Sequence, residues 1–110
     1  MKNNLELNID RPLHFVINGR RSLGKITLGT LRKKPQKGDL GECWGCLCSI
    51  SHISPKPREV CGEDPLDALL NCARFLKGLI VGHKDLGYKV YWLSEGDDGG
   101  LDQILEVNGE

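Results

Sequence analysis

Residues 62–87 read GEDPLDALLNCARFLKGLIVGHKDLG, and their apolar spacing predicts one long amphipathic helix. Asp64 has a side chain suited to cap the free amides of the first turn. Pro65 takes the first helical position, where its missing N–H costs nothing. The helix ends near Val81 or, as we favour, runs to Leu86 with Gly87 as a left-handed cap. The predicted buried stripe consists of Leu66, Leu69, Leu70, Ala73, Leu76 and Ile80, widened by Cys72, Phe75 and Leu79. So wide a stripe needs a broad partner, which a sheet face supplies.

Upstream of this helix, alternating apolar residues predict the first strands of an antiparallel sheet. Residues 5–9 and 13–17 alternate in the manner of half-buried strands. Pro12 is predicted to interrupt them, because proline cannot donate to a central ladder. Asn18 and Gly19 then predict a type I′ hairpin turn, so the chain should return antiparallel.

Two further strands are predicted before the helix. Residues 26–31 form the returning strand, with Gly24 and Gly29 as candidate bulges. Residues 42–53 alternate next, which predicts a strand with one buried face. Residues 54–57, SPKP, predict a turn that leads into a short extended segment before the helix.

The segments after the helix complete the predicted architecture. Residues 88–93 alternate and predict a strand that returns to the sheet, residues 95–100 predict a flexible acidic loop, and residues 101–107 a weak helix or a tail. The predicted fold class is therefore α+β, a single domain over residues 1–110, with an antiparallel sheet of four or five strands packed against one long helix. The predicted core on the sheet consists of Phe15, Ile17, Ile26, Leu28, Cys46, Cys48, Ile50 and Trp92.

Composition and charge limit the function more than they indicate it. The 110 residues contain equal numbers of basic and acidic side chains, 15 of each, whereas a general nucleic-acid binder carries a basic excess. No apolar run approaches the roughly 20 residues of a membrane span, and the polar start predicts a cytoplasmic protein. The five cysteines are then expected to be reduced thiols.

A run of basic residues supplies the candidate binding site. Residues 32–39, RKKPQKGD, are predicted to form a charged loop between strands, which by itself predicts only a solvated surface. The functional interpretation is a patch that meets an acidic partner. The residues of this patch are Arg32, Lys33, Lys34 and Lys37.

Cysteines near the centre of the chain offer an alternative metal site. Thiolates and imidazole are ligands that zinc prefers, usually four at a time. Strand alternation places Cys43 on the face opposite Cys46 unless Gly45 forms a bulge, and the spacing matches no common zinc motif. The simpler interpretation is that the central thiols are small buried side chains. The alternative ligand set is Cys43, Cys46, Cys48 and His52.

No arrangement in the sequence indicates catalysis. There is no recognisable nucleophile–base pair, acid pair or phosphate-binding loop. We therefore predict a protein that is not an enzyme and holds no cofactor. Such a domain acts by binding another protein or by forming a homodimer. The surfaces that could serve are an exposed edge or face of the sheet, the basic loop against an acidic partner, or the acidic loop at residues 95–98 against a basic partner.

Short segments along the chain also carry a family resemblance. They are residues 26–29 (ITLG, ahead of Lys34 and Pro35), 46–50 (CLCSI), 62–69 (GEDPLDAL) and 91–93 (YWL). Together they resemble a family of small uncharacterised bacterial proteins, over residues 22–100. The chain departs from that family's pattern at Asp67, where glutamine is usual, and at Leu47 and Cys48. The resemblance implies an antiparallel sheet packed on one long helix and no known reaction. Proteins of this size and shape are also similar to immunity proteins of bacterial toxin systems, an analogy of fold alone.

Overall fold

The computed structural model describes residues 4–34 and 43–102, which form one antiparallel sheet with a helix packed against it. The strands are β1 (Asn4–Leu5), β2 (Ile9–Ile17), β3 (Arg20–Lys34), β4 (Cys43–Ile50), β5 (Ser54–Gly62) and β6 (Tyr88–Tyr91), and the helix is α1 (Pro65–Lys84). A 3-10 turn, Asp98–Gly100, follows β6. The predicted α+β fold class is confirmed. Within the described ranges, no helix is both long and apolar enough to cross a membrane.

The strands are arranged in the order β5-β4-β3-β2-β6, and β1 pairs with the far end of β3. β2 to β5 form a meander in which each strand pairs with the next one in the chain. α1 then carries the chain back across the sheet, so that β6 pairs with β2. The face against α1 is the inner face. The opposite face, here called the outer face, has no helix against it in the described part of the chain.

The hairpin of β2 and β3 confirms the predicted turn and corrects the predicted break. Asn18 and Gly19 have φ values of 53° and 81°, as a type I′ turn requires. Pro12 lies inside β2, opposite Lys25, so the prediction that it interrupts the strand is wrong. Hydrogen-bonded and non-hydrogen-bonded residue pairs alternate along the hairpin, and counted from the turn Pro12 falls in a non-hydrogen-bonded pair, so its nitrogen points away from β3. The pairing of β6 with β2 begins at His14, beyond Pro12. The missing N–H of Pro12 therefore costs no ladder hydrogen bond.

Two other predicted boundaries are wrong. The predicted strand at residues 5–9 is divided, since residues 6–8 separate β1 from β2. The predicted turn at residues 54–57 belongs to β5, and the turn itself lies at residues 51–53, where His52 has φ of 68°. β5 is an edge strand, so its prolines interrupt no ladder with a strand on both sides.

One of the two candidate bulges in β3 is present. The register between β3 and β4 shifts between Leu28 and Leu31, which confirms an irregularity at Gly29. Gly24 instead pairs regularly with Leu13, so the prediction of a bulge there is wrong.

The ends of α1 agree with the caps in the sequence. Oδ1 of Asp64 accepts from the N–H of Asp67 at 2.7 Å, and Oδ2 of Asp67 accepts from the N–H of Glu63 at 2.8 Å. These reciprocal bonds satisfy free amides at the helix start. The helix continues to Lys84, and Gly87 with φ of 90° ends it, close to the longer of the two predicted ends.

The buried face of α1 is rotated relative to the predicted stripe. Its buried residues are Ala68, Cys72, Ala73, Leu76 and Ile80. Leu66 is 64% exposed, so its predicted burial is wrong, and Leu69 and Leu70 are only half-buried. Small side chains at Ala68 and Cys72 let the helix backbone approach the sheet closely. The prediction weighted large side chains, whereas three of the five buried residues of α1 are the small Ala68, Cys72 and Ala73.

The sheet contributes the other half of the core. The predicted residues that are buried are Phe15, Ile26, Cys46, Cys48 and Ile50, and those partly buried against them are Ile17, Leu28 and Trp92. Buried residues that the sequence did not single out are Leu13, Leu31, Val90 and Leu101. The helix and the inner face of the sheet therefore share one continuous core.

Residues 95–100, which were predicted to form a flexible acidic loop, are organised around the carboxylate of Asp97. This side chain accepts bonds of 2.8–3.1 Å from the backbone N–H groups of Trp92, Leu93, Ser94 and Gly99. Burial by itself would raise the pKa of Asp97, but the hydrogen bonds outweigh it and lower that pKa. The predicted weak helix at residues 101–107 lies mostly outside the described residues.

Candidate functional site: the outer face of the sheet

Strand alternation determines which side chains reach the outer face. Leu13 and Phe15 are buried in the core, so His14 and Val16 beside them point outward. The register extends this alternation to the neighbouring strands. The cations placed on the outer face are Arg21, Lys25, Arg32, Lys34 and Lys89, and the carboxylates are Asp10 and Glu59. Among the described strand residues, the outer face is therefore cationic, although the whole chain has no net charge.

One carboxylate links two of the predicted basic residues. Nη2 of Arg32 lies 3.1 Å from Oε2 of Glu59, and Nζ of Lys34 contacts Oε1 of the same side chain. We call Arg32, Lys34 and Glu59 the ion-pair cluster. The hydrogen bond from Lys34, supported by the charge and hydrogen bond of Arg32, lowers the pKa of Glu59. The carboxylate is thus ionised at neutral pH.

The ion-pair cluster spans β4 because Gly45 has no side chain. β4 lies between β3 and β5, and Gly45 faces Arg32 on one side and Cys61 on the other. A Cβ at position 45 would stand 2.5 Å from Cδ of Glu59, well inside contact distance. Glycine leaves the space through which Glu59 reaches the two cations of β3.

The predicted basic patch is divided by the strand that carries it. Arg32, Lys33 and Lys34 belong to β3, so the prediction that they lie in a loop is wrong. Lys33 pairs with Trp44 and points to the side opposite its two neighbours. Lys37 lies outside the described residues. Among the members of the predicted set that the structure describes, Arg32 and Lys34 therefore come together on the outer face.

Aromatic and apolar side chains are exposed at the other end of the outer face. The rings of His14 and Tyr91 stack, with centroids 4.8 Å apart and an interplanar angle of 19°. Leu23 faces His14 in the register and is 76% exposed. Together with Val16 and Arg21, these residues line a shallow cavity of about 210 Å³. We call these five residues the aromatic patch.

Two of the four residues in the alternative metal set are core residues. Cys46 and Cys48 are buried, which confirms their interpretation as small packing side chains, and Cys72 of α1 packs against them. Sγ of Cys72 donates to the carbonyl of Cys46 at 3.4 Å. Hydrogen bonds with Cys46 and Cys48, together with burial, raise the pKa of Cys72 above its ordinary range. Cys72 is therefore a neutral thiol.

The other two residues of that set are not buried, and they lie at opposite ends of β4. Cys43 is on the outer face beside Cys61. His52 is in the turn between β4 and β5, where its Nε2 lies 3.2 Å from Oγ of Ser22 and its ring meets Phe15 edge-on. Over residues 4–34 and 43–102, no group of three or more His, Cys, Asp or Glu side chains is placed to hold a metal ion.

Several residues of the outer face were not singled out by the sequence analysis. Glu59 and Gly45 matter only because β5 pairs with β4 in one register, and nothing local in the sequence reports that register. His14 and Tyr91 could have been found, since each alternates with a buried neighbour in its own strand. The sequence therefore indicates which side chains share the outer face, but it does not indicate how the strands pair.

No protein-family model matches the chain, and no curated protein or solved structure matches it either. The function is therefore inferred from the outer face itself.

Proposed function

We propose that this protein is a non-catalytic binding domain whose outer face holds an acidic surface of a protein partner. The main support is a separation of charge. The chain has no net charge, yet cations outnumber carboxylates on the outer face among the described strand residues. Such a face attracts a partner of opposite charge and disfavours pairing with the same face of a second copy.

The aromatic patch supplies the apolar anchors of the proposed interface. Tyrosine and arginine are enriched among the residues that dominate binding energies, especially beside pockets that exclude water. Tyr91 and Arg21 are residues of this type, and both line the cavity beside the exposed Leu23. Burial of Leu23 and the stacked His14–Tyr91 pair would add apolar area that charge attraction alone lacks.

The ion-pair cluster holds its cations ready for a partner. Glu59 fixes the guanidinium of Arg32 and the ammonium of Lys34 on one side of β4. Side chains that are already ordered lose less conformational freedom on binding. Arg32 and Lys34 can then bind a carboxylate of the partner in addition to Glu59. This arrangement suits a flat acidic surface on the partner.

A zinc-binding or thiol-dependent function is the alternative. It has less support because the residues it needs are dispersed: Cys46 and Cys48 are in the core, Cys43 is on the outer face, and His52 is in a turn. Four ligands must converge on one zinc ion. Zinc analysis of protein purified without chelator distinguishes the two functions, since a near-stoichiometric content would favour the alternative.

Toxin neutralisation in the bacterial cytoplasm is one version of the proposed function. An immunity protein binds one partner tightly and needs no chemistry of its own, and the resemblance to small bacterial proteins is compatible with that role. Genome neighbours separate the versions: an adjacent toxin gene favours immunity, and its absence favours another acidic partner.

Affinity capture from the native host tests the proposal with a matched pair of variants. The double variant Arg32→Ser/Lys34→Ser removes the two cations of the ion-pair cluster. Lys33→Ser removes the same kind of charge from the position between them, on the other side of β3. We expect wild type and Lys33→Ser to retain the same acidic protein, and the double variant to lose it. Retention should also fall as salt is raised.

Two outcomes would contradict the proposed interface. Undiminished capture by the double variant at low salt would remove the ion-pair cluster from the contact. Capture that persists in Leu23→Ser would do the same for the aromatic patch. Enrichment of nucleic acid instead of protein, or a stable dimer of the purified chain in size-exclusion chromatography with light scattering, would show that the partner class is wrong.

A further inference from the structure

The outer face carries a pair of thiols beside the ion-pair cluster. Cys61 of β5 faces Gly45 of β4, and Cys43 lies two residues before Gly45, so both cysteines point to the same side of the sheet. They are diagonal neighbours across one antiparallel pair. Burial first, and then the hydrogen bond and charge of Cys43, raise the pKa of Cys61. Both residues are free thiols, Cys61 exposed and Cys43 half-buried.

We propose that Cys43 and Cys61 are a reversible disulfide site that exchanges with a small thiol–disulfide couple of the glutathione class. The site lies beyond the proposed binding function and does not depend on any partner. Gly45, which lies opposite Cys61 and two residues after Cys43, has no side chain of its own on the outer face, and the carboxyl group of Glu59 lies over its backbone.

The placement of the two cysteines makes the bond reversible rather than structural. Diagonal neighbours across an antiparallel pair are about 7–8 Å apart, slightly beyond the usual Cα separation of about 4.4–6.8 Å in disulfides. Closing the bond therefore draws β4 and β5 together at this point. Disulfides that are exposed or deviate from ideal geometry are the ones that reductants open most readily.

Burial restricts the exchange to this pair. Cys46, Cys48 and Cys72 are no more than 2% exposed, so a tripeptide disulfide cannot reach their sulfur atoms in the folded protein. Lys34 faces Cys43 directly in the register. Its positive charge attracts anionic glutathione and opposes the rise that burial and Cys43 cause in the pKa of Cys61.

The exchange is balanced in two steps. The thiolate of exposed Cys61 attacks one sulfur of oxidised glutathione, which forms a mixed disulfide and releases one glutathione thiolate. The thiolate of Cys43 then attacks the Cys61 sulfur, which closes the protein disulfide and releases the second glutathione thiolate. The protein loses two electrons and two protons, and oxidised glutathione takes up the electrons.

Peptide mapping of the folded full-length chain tests the site. The protein is equilibrated in buffers of stepped ratios of oxidised to reduced glutathione, quenched in acid, alkylated, digested and analysed by mass spectrometry. We expect a peptide joining Cys43 to Cys61 that disappears when dithiothreitol is added, with the three buried thiols alkylated only after denaturation. Cys43→Ser should stop at a glutathione adduct on Cys61, and Cys61→Ser should form no intramolecular disulfide.

The proposal is overturned if wild type accumulates the glutathione adduct on Cys61 without closing, if the disulfides formed join different molecules, or if neither cysteine reacts. Wild-type mapping needs no variant to fold, and circular dichroism confirms the fold of each serine variant. Failure of this test leaves the proposed partner binding untouched, because the mapping uses the isolated chain.

Discussion

The carboxyl group of Glu59 lies directly over the backbone of Gly45. A Cβ at position 45 would be 2.5 Å from both Cδ and Oε2 of Glu59. The absence of that one carbon lets a residue of β5 cross β4 and bind cations of β3. A side-chain network across three strands therefore depends on a single glycine in the middle one.

Gly45→Ala should raise the pKa of Glu59 toward its ordinary value of 4.5. The new methyl group displaces the end of the Glu59 side chain, which separates the carboxylate from both Lys34 and Arg32. Because the pKa of Glu59 is lowered in the folded protein, its pairing stabilises the fold above the unfolded pKa and is lost as pH falls through the folded value. Carboxyl-carbon NMR titration of Glu59 measures the change.

The matched control is Gly78→Ala, since a Cβ at Gly78 meets no other atom within 4 Å. This change should leave the titration of Glu59 unaltered and should raise the free energy of unfolding by about 0.5–1 kcal/mol, as alanine replaces glycine inside an exposed part of a helix. An unchanged pKa of Glu59 in Gly45→Ala would show that the carboxyl group keeps its cations by another path.

The elements that short-range chemistry controls were predictable from the sequence. The cap at Asp64, the Asn18-Gly19 turn and the alternation around Cys46 each depend on residues close together in the chain. The predictions failed where position in the sheet overrides local preference. Pro12 and the prolines of β5 are tolerated because the side of the strand that lacks an N–H faces no partner strand, and only the strand order shows which side that is.

The candidate site was predictable only in its charges. Arg32 and Lys34 were identified as basic residues, but their run of charge was mistaken for a loop because charged side chains are also typical of a solvated strand face. Their link to Glu59 joins residues 25 or more positions apart, and it exists only in the register of β4 with both neighbours. A single sequence does not report such pairings.

Leu76→Ala should lower the free energy of unfolding by about 2–5 kcal/mol, because Leu76 is 1% exposed in the middle of the core and its removal leaves a cavity. Leu70→Ala deletes the same atoms six positions earlier, at a half-buried site on the flank of α1, and should lower it by about 1 kcal/mol or less. Urea unfolding followed by circular dichroism compares the two. Equal losses would mean that α1 is rotated toward the stripe predicted from the sequence.

Asp97→Asn should lower the melting temperature at neutral pH, because an amide cannot accept all four backbone N–H bonds that the carboxylate holds. The pKa of Asp97 is lowered in the folded protein, so its contribution is complete above the ordinary value of 3.8 and is lost as pH falls through the folded value. Calorimetry across pH 2 to 7 should therefore show the two proteins converging in acid. Asp85→Asn, at the exposed C-cap of α1, is the control and should show no such convergence.

Cys43→Ala should speed the alkylation of Cys61 by iodoacetamide. Burial is the main reason that the pKa of Cys61 is raised, and the hydrogen bond and charge of Cys43 raise it further. Removing Cys43 leaves the burial but deletes that second contribution, so more of Cys61 is thiolate at a given pH. The gain should not exceed about tenfold, the change in thiolate fraction that one pKa unit produces.

Leu47→Ala, on the same face of β4, is the matched control and should leave the rate unchanged. Mass spectrometry of time points at several pH values measures the rate, and a slower reaction in Cys43→Ala would show that Cys43 activates Cys61 instead.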